Sequence, residues 1–172
     1  MPRTPNTHGG GALTNANGLH FEQTTSLDAA LQRKGYLVSS TGEVYYNDEI
    51  IGYSKAKYKF RKFLEANGVD LSVNSDVLLP DDTFTNIGNR TIYIVEKKFQ
   101  SGSGSVAEKI QTCEYKKLQY MKLISQMGYD TVYVYILSDF FNDPKFADVL
   151  KFINSKGCYY FFNELPLDFL GL

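Results

Sequence analysis

Asp81, Glu96 and Lys98 are the residues of this 172-residue chain whose types and spacing can do chemistry together. Glu96-Lys97-Lys98 closes the apolar run Ile92-Tyr93-Ile94-Val95. That run reads as a strand, and strand side chains alternate between the two faces, so Glu96 and Lys98 point the same way. Pro80-Asp81 lies upstream, in a stretch from Val77 to Phe84 that reads as a second strand. Between the two, Asn86-Ile87-Gly88-Asn89 carries the Asn/Gly signal of a hairpin turn. A turn centred on Gly88 and Asn89 sets Asp81 opposite Glu96. Two carboxylates and one ammonium then converge on one patch.

Such a patch suits a hard divalent cation. Mg²⁺ takes oxygen ligands and keeps several waters, so one or two protein carboxylates and a substrate phosphate suffice for it. Asp81 and Glu96 supply the carboxylates. The cation lowers the pKa of a bound water and offsets charge developing on phosphorus oxygens, while Lys98 orients that water or stabilises the transition state. The chemistry expected is phosphodiester hydrolysis with Mg²⁺, Mn²⁺ being able to substitute. Taken singly, Pro-Asp is a common turn dipeptide and Glu-x-Lys a common solvated strand face. Their conjunction in a matching register is what singles the three residues out.

On these residues the chain resembles the PD-(D/E)xK nuclease superfamily, and type II restriction endonucleases in particular. Two flanking blocks extend the likeness. Residues 14–22, ending in Phe21-Glu22, look like the N-terminal helix that contributes a further acidic residue, and residues 102–112 are similar to the segment after the catalytic strand. The resemblance implies a Mg²⁺-dependent type II restriction endonuclease, or its catalytic subunit, cutting double-stranded DNA. It brings in two auxiliaries. Glu22 would bind a second metal or pair with Lys98, against the plainer reading of an exposed helix glutamate. Gln111 would hold a water or a DNA phosphate, against that of a surface glutamine. Cutting both strands calls for two sites, hence a homodimer or a heterodimer with a second nuclease or recognition subunit. A structure-specific or nicking repair and recombination nuclease would use the same three residues. A non-catalytic DNA-binding module would have no need of an acidic cluster facing phosphates.

The elements that must position these residues follow from periodicity and punctuation. Residues 1–13 hold two prolines and three consecutive glycines and read as a flexible arm. Residues 14–172 read as one nuclease domain. Helical spacing runs from Ala16 to Lys34, broken near Thr24 to Ser26, where Ser26 caps a second segment. Tyr36–Ser39, Glu43–Tyr46 and Glu49–Tyr53 alternate as a small meander with turns at Thr41-Gly42 and Asn47-Asp48. Lys55–Ala66 reads as a helix with Tyr58, Phe63 and Leu64 toward the core. Its lysines and Arg61 form a solvated face that could also meet phosphates. Ser105-Val106-Ala107-Glu108 is a capping box opening a long helix to about Met127, on which Lys109, Lys116 and Lys117, like Gln111, read either as facing the site or as surface residues. A buried strand over Asp130–Leu137, a helix over Pro144–Asn154 and a strand over Cys158–Phe162 complete an α/β domain, a mixed central sheet flanked by helices. The resemblance implies the restriction-endonuclease-like core, with the site at one edge of the sheet.

Composition sets the outer bounds. A formal net charge of −1 with 43% hydrophobic residues excludes a polycation that coats nucleic acid, and leaves room for a locally basic cleft. Cys113 and Cys158 lack metal-ligand spacing, and two histidines are too few for a His-based centre. Free thiols, no apolar leader and no long apolar run predict a soluble cytoplasmic protein that does not engage membrane.

Overall fold

A computed structural model describes residues 20–21, 25–101 and 106–172. The expected arm, residues 1–13, and Glu22 lie outside the described residues. The elements in chain order are α1 (Leu27–Arg33), β1 (Leu37–Val38), β2 (Glu43–Tyr46), β3 (Glu49–Ser54), α2 (Tyr58–Ala66), β4 (Asp82–Asn86) and β5 (Thr91–Lys98). They continue with α3 (Val106–Ile110), α4 (Cys113–Ile124), β6 (Asp130–Leu137), α5 (Ala147–Ser155) and β7 (Tyr159–Phe162). Seven strands form one mixed sheet in sequence order. β1 to β5 run antiparallel to their neighbours, while β5, β6 and β7 are mutually parallel. Parallel neighbours need a crossover, and the helices α3–α4 and α5 supply the two that are present. The protein is thus α/β with helices flanking a mixed sheet, compatible with the restriction-endonuclease-like core.

The apolar run of β5 is buried on both faces, which is why its sequence is continuous rather than alternating. Ile92 and Ile94 meet Phe60 and Leu64 of α2 and Tyr120, Leu123 and Ile124 of α4, with Tyr133 and Tyr135 of β6 beside them. Tyr93 and Val95 face the other layer, where Phe84, Val134 and Ile136 pack with Leu27 and Leu31 of α1 and Leu165 and Leu170 near the C-terminus. Fully burying each such side chain contributes roughly 1.5–3 kcal/mol.

Among the described residues the expected helices and strands form, with shifted boundaries, while most of the helical segment expected from Ala16 and the capping Ser105 lie outside them. Ser26 Oγ accepts from the Ala29 amide and caps α1 as anticipated. The meander turns at Asn47 and Asp48, both with positive φ, the geometry that Asn and Asp tolerate best. Residues 77–80 are not strand, and β4 begins only at Asp82. Pro80 stops it from starting sooner, since it has no amide hydrogen to donate to a ladder. α2 starts at Tyr58, so Tyr58 is 58% exposed and Phe60 takes the core place expected of it. The long helix after the loop is broken at Gln111-Thr112 into α3 and α4. Cys113 and Cys158 are buried free thiols. Among the described residues no helix is long and apolar enough to cross a membrane.

Candidate functional site

The hairpin β4–β5 sets the geometry of the candidate site. Asn86 pairs with Thr91, Phe84 with Tyr93 and Asp82 with Val95. One step further along the same register, Asp81 stands opposite Glu96, the pairing that a turn centred on Gly88 and Asn89 requires. Asn86 Oδ1 fixes that turn by accepting from the Asn89 amide at 3.1 Å. Asp81 is just outside β4 and is tied to β5 by its side chain: Oδ2 accepts from the Lys97 amide at 2.8 Å. Its neighbour Pro80 is anchored from the other side, where its carbonyl accepts from the Lys57 amide at the start of α2 at 2.9 Å.

The ionic contacts close the constellation. Lys98 Nζ lies 2.9 Å from Glu96 Oε2 and 4.0 Å from Asp81 Oδ2. Glu96 is only 5% exposed. A buried carboxylate needs compensating charge, and it receives it twice, since Lys116 Nζ of α4 lies 3.4 Å from the same Oε2. Behind Glu96 stand Tyr120, Tyr133 and Tyr135, all fully buried. Burial pushes all three phenols far above their ordinary range, and the Glu96 charge adds to this at Tyr120 and Tyr133. The wall behind the site is therefore neutral and of low polarity, which strengthens the electrostatics in front of it.

The doublets Asp81-Asp82 and Lys97-Lys98 divide between the two faces of the sheet. Lys97 Nζ lies 2.7 Å from Asp82 Oδ2 on the far face, with both side chains largely buried. Asp82 Oδ2 also accepts from the Leu27 amide at the start of α1, at 3.4 Å. Burial raises the Asp82 pKa despite the ammonium beside it. One member of each doublet thus belongs to the site and the other to a buried pair that ties the two strands directly behind it.

The site sits at the ends of β4 and β5, within the sheet order rather than at its edge, because β3 and β6 flank these strands on either side. Gln111 is exposed in the turn between α3 and α4, and its described contacts do not include Asp81, Glu96 or Lys98. Lys116, left open between site and surface by the sequence, lies against Glu96. Its signal was present in the sequence: Cys113, Lys116, Tyr120 and Leu123 share one helical stripe, and the other three are buried. A lysine on a core-facing stripe calls for a partner. A cavity of about 600 Å³ lies on the opposite face between α1 and the C-terminal segment, lined by Leu27, Arg33, Val95, Ile136 and Asp168 but by none of the site residues.

The hydrogen bonds to the two carboxylates use Asp81 Oδ2 and Glu96 Oε2. Among the described contacts, Asp81 Oδ1 and Glu96 Oε1 are left for a cation. No three His, Cys, Asp or Glu side chains of the described residues cluster into a cage. Two carboxylate oxygens fit a hard cation such as Mg²⁺, which takes oxygen ligands and keeps most of its waters, and do not fit a soft metal. Comparison with known proteins found no match, neither a family model nor a curated protein nor a solved structure.

Proposed function

We propose that this chain is a Mg²⁺-dependent phosphodiesterase acting on double-stranded DNA, as a type II restriction endonuclease or the catalytic subunit of one. The observation that carries this reading is the meeting of Asp81, Glu96 and Lys98 at one strand end, with Lys98 Nζ within 4.0 Å of both carboxylates. A Mg²⁺ ion held there would supply a water of lowered pKa and positive charge beside the phosphate. Asp81 and Glu96 would hold it through Oδ1 and Oε1. Lys98 would hold the attacking water on the side of its strand and steady the charge that builds on phosphorus oxygens. The tyrosine wall excludes water from behind Glu96, so that the charges act in a weakly polar setting. Double-strand cutting would take two copies of the site, from a homodimer or from a partner nuclease or recognition subunit.

Incubation of the purified protein with long duplex DNA, branched junctions and either Mg²⁺ or Mn²⁺ tests the proposal. Discrete fragments from linear duplex support a restriction endonuclease. Cutting confined to junctions transfers the site to structure-specific repair. Intact DNA with both metals, at protein in large excess, sinks the hydrolytic reading.

A further inference from the structure

Two ammonium groups share a single oxygen of Glu96. One would compensate the carboxylate, and the nearer, Lys98, comes from the same strand two residues away. Lys116 arrives from a different element, at 3.4 Å, with its side chain 26% exposed. A second cation at the same atom is repelled by the first, and a partly exposed ion pair adds little stability. Its orientation is nevertheless fixed from outside. On the neighbouring flank of α4, Lys117 Nζ donates to the Gly157 carbonyl at 2.8 Å, and Glu114 pairs with Lys156 at 3.0 Å. These contacts pin the rotation of the helix so that Lys116 faces the site.

Charge bookkeeping shows what this arrangement does. Among the described residues Asp81 and Glu96 balance Lys98 and Lys116, a set with no net charge that offers a phosphate no net attraction. A divalent cation on the carboxylates upsets that balance and repels both ammoniums from Glu96. Lys98 is held near Asp81 by its strand. Lys116, on a long and flexible stem, can leave.

We propose that Lys116 is a second working cation of the site: it occupies Glu96 in the free protein and, once a divalent ion takes the carboxylate, turns to a non-bridging oxygen of the phosphodiester. This assignment rests on the phosphodiesterase reading above. Lys116 thereby couples metal binding to phosphate binding, since the same ammonium competes with the metal and then attracts the substrate. A purely structural lysine would do neither.

The test uses the whole protein, Lys116→Met, and Lys116→Arg as the variant that keeps the charge. Mg²⁺ alone is titrated by calorimetry without DNA, and a duplex oligonucleotide is titrated by anisotropy with and without Ca²⁺, which takes the same oxygen ligands. Lys116→Met is expected to bind Mg²⁺ roughly three- to tenfold more tightly, and to lose the metal-dependent gain in DNA affinity by a similar factor. Lys116→Arg is expected to keep that gain. Unchanged Mg²⁺ affinity and unchanged metal-dependent gain in Lys116→Met overturn the assignment, as does loss of the gain in Lys116→Arg at an unaltered melting temperature. If Lys116→Met does not fold, Lys116→Gln takes its place under the same criteria. A wild-type protein that shows the metal-dependent gain, with the variants behaving as expected, but leaves DNA uncut supports the assignment and overturns the hydrolytic reading alone.

Discussion

Lys98 is the residue at which the chemistry of the site separates most cleanly from folding. Its side chain is 18% exposed, and its described ionic contacts are the carboxylates of Glu96 and Asp81. Lys98→Ala is expected to slow cleavage by on the order of a hundredfold or more, the usual effect of removing one group that stabilises transition-state charge. DNA binding and melting temperature should stay close to wild type. Single-turnover rates within a few fold of the wild-type rate would remove Lys98 from the mechanism. Asp81→Asn and Glu96→Gln keep shape but replace a carboxylate with an amide, a much poorer ligand for a hard cation. Each is expected to abolish calorimetrically detectable Mg²⁺ binding and Mg²⁺-dependent cleavage. Unaltered metal affinity in both variants would place the cation elsewhere. Asp81, Glu96 and Lys98 were legible in the sequence because period-two alternation and a symmetric hairpin fix a register without further information. Lys116 was legible only as a lysine on a core-facing stripe; its partner Glu96 was not, because that residue is distant in sequence and belongs to a different element.

At the scale of elements, the buried Asp82–Lys97 pair holds β4 against β5 directly behind the site. Breaking a buried pair by removing one partner is far more costly than replacing both. Lys97→Met is therefore expected to lower stability by about 3–5 kcal/mol, and the double variant Asp82→Leu/Lys97→Met by clearly less. Denaturant titration of these variants and of Asp82→Leu decides it, and a loss in the double variant equal to the sum of the two single losses would mean that the pair is not coupled. A second element-scale effect lies at the start of β2. Ser39 and then Thr41 donate hydroxyl hydrogen bonds to the Glu43 carboxylate, which lowers its pKa from the ordinary 4.5 to about 2. A depressed carboxyl pKa stabilises the fold above the unfolded value, and that contribution is lost as pH falls from about 4.5 toward 2. Ser39→Ala is expected to move the Glu43 titration upward, as read by carboxyl NMR, and an unshifted titration would remove the Ser39 hydroxyl as the cause. Element boundaries were the part of the chain least visible in sequence. The strand expected over Val77–Phe84 starts only at Asp82, and the helix expected from Lys55 starts at Tyr58, because Lys57, with φ 49° and ψ −120°, has a non-helical backbone.

For the whole molecule, the sheet is the shared wall of two apolar layers, Leu64 lying in one and Phe84 in the other. Leu64→Ala and Phe84→Ala are each expected to cost about 2–5 kcal/mol, and the losses should add because the two sites are separate. Domains of this kind have only about 5–15 kcal/mol in total, so the double variant should approach the unfolding threshold in a single cooperative transition. Two separate transitions by circular dichroism would mean that the layers unfold independently. The sequence by itself determined the α/β class, the β4–β5 hairpin with its register, and which member of each charged doublet faces the candidate site, since all of these follow from alternation, turn residues and apolar runs that are local in the chain. Only the tertiary structure decided the rest: that the site lies at the ends of strands flanked on both sides rather than at an edge, that the expected long helix breaks at Gln111-Thr112 and its second part, α4, delivers Lys116, and that Asp82 and Lys97 form a buried pair behind the site. These depend on how helices dock across the sheet, a matter of long-range packing and desolvation that no short window of residues encodes.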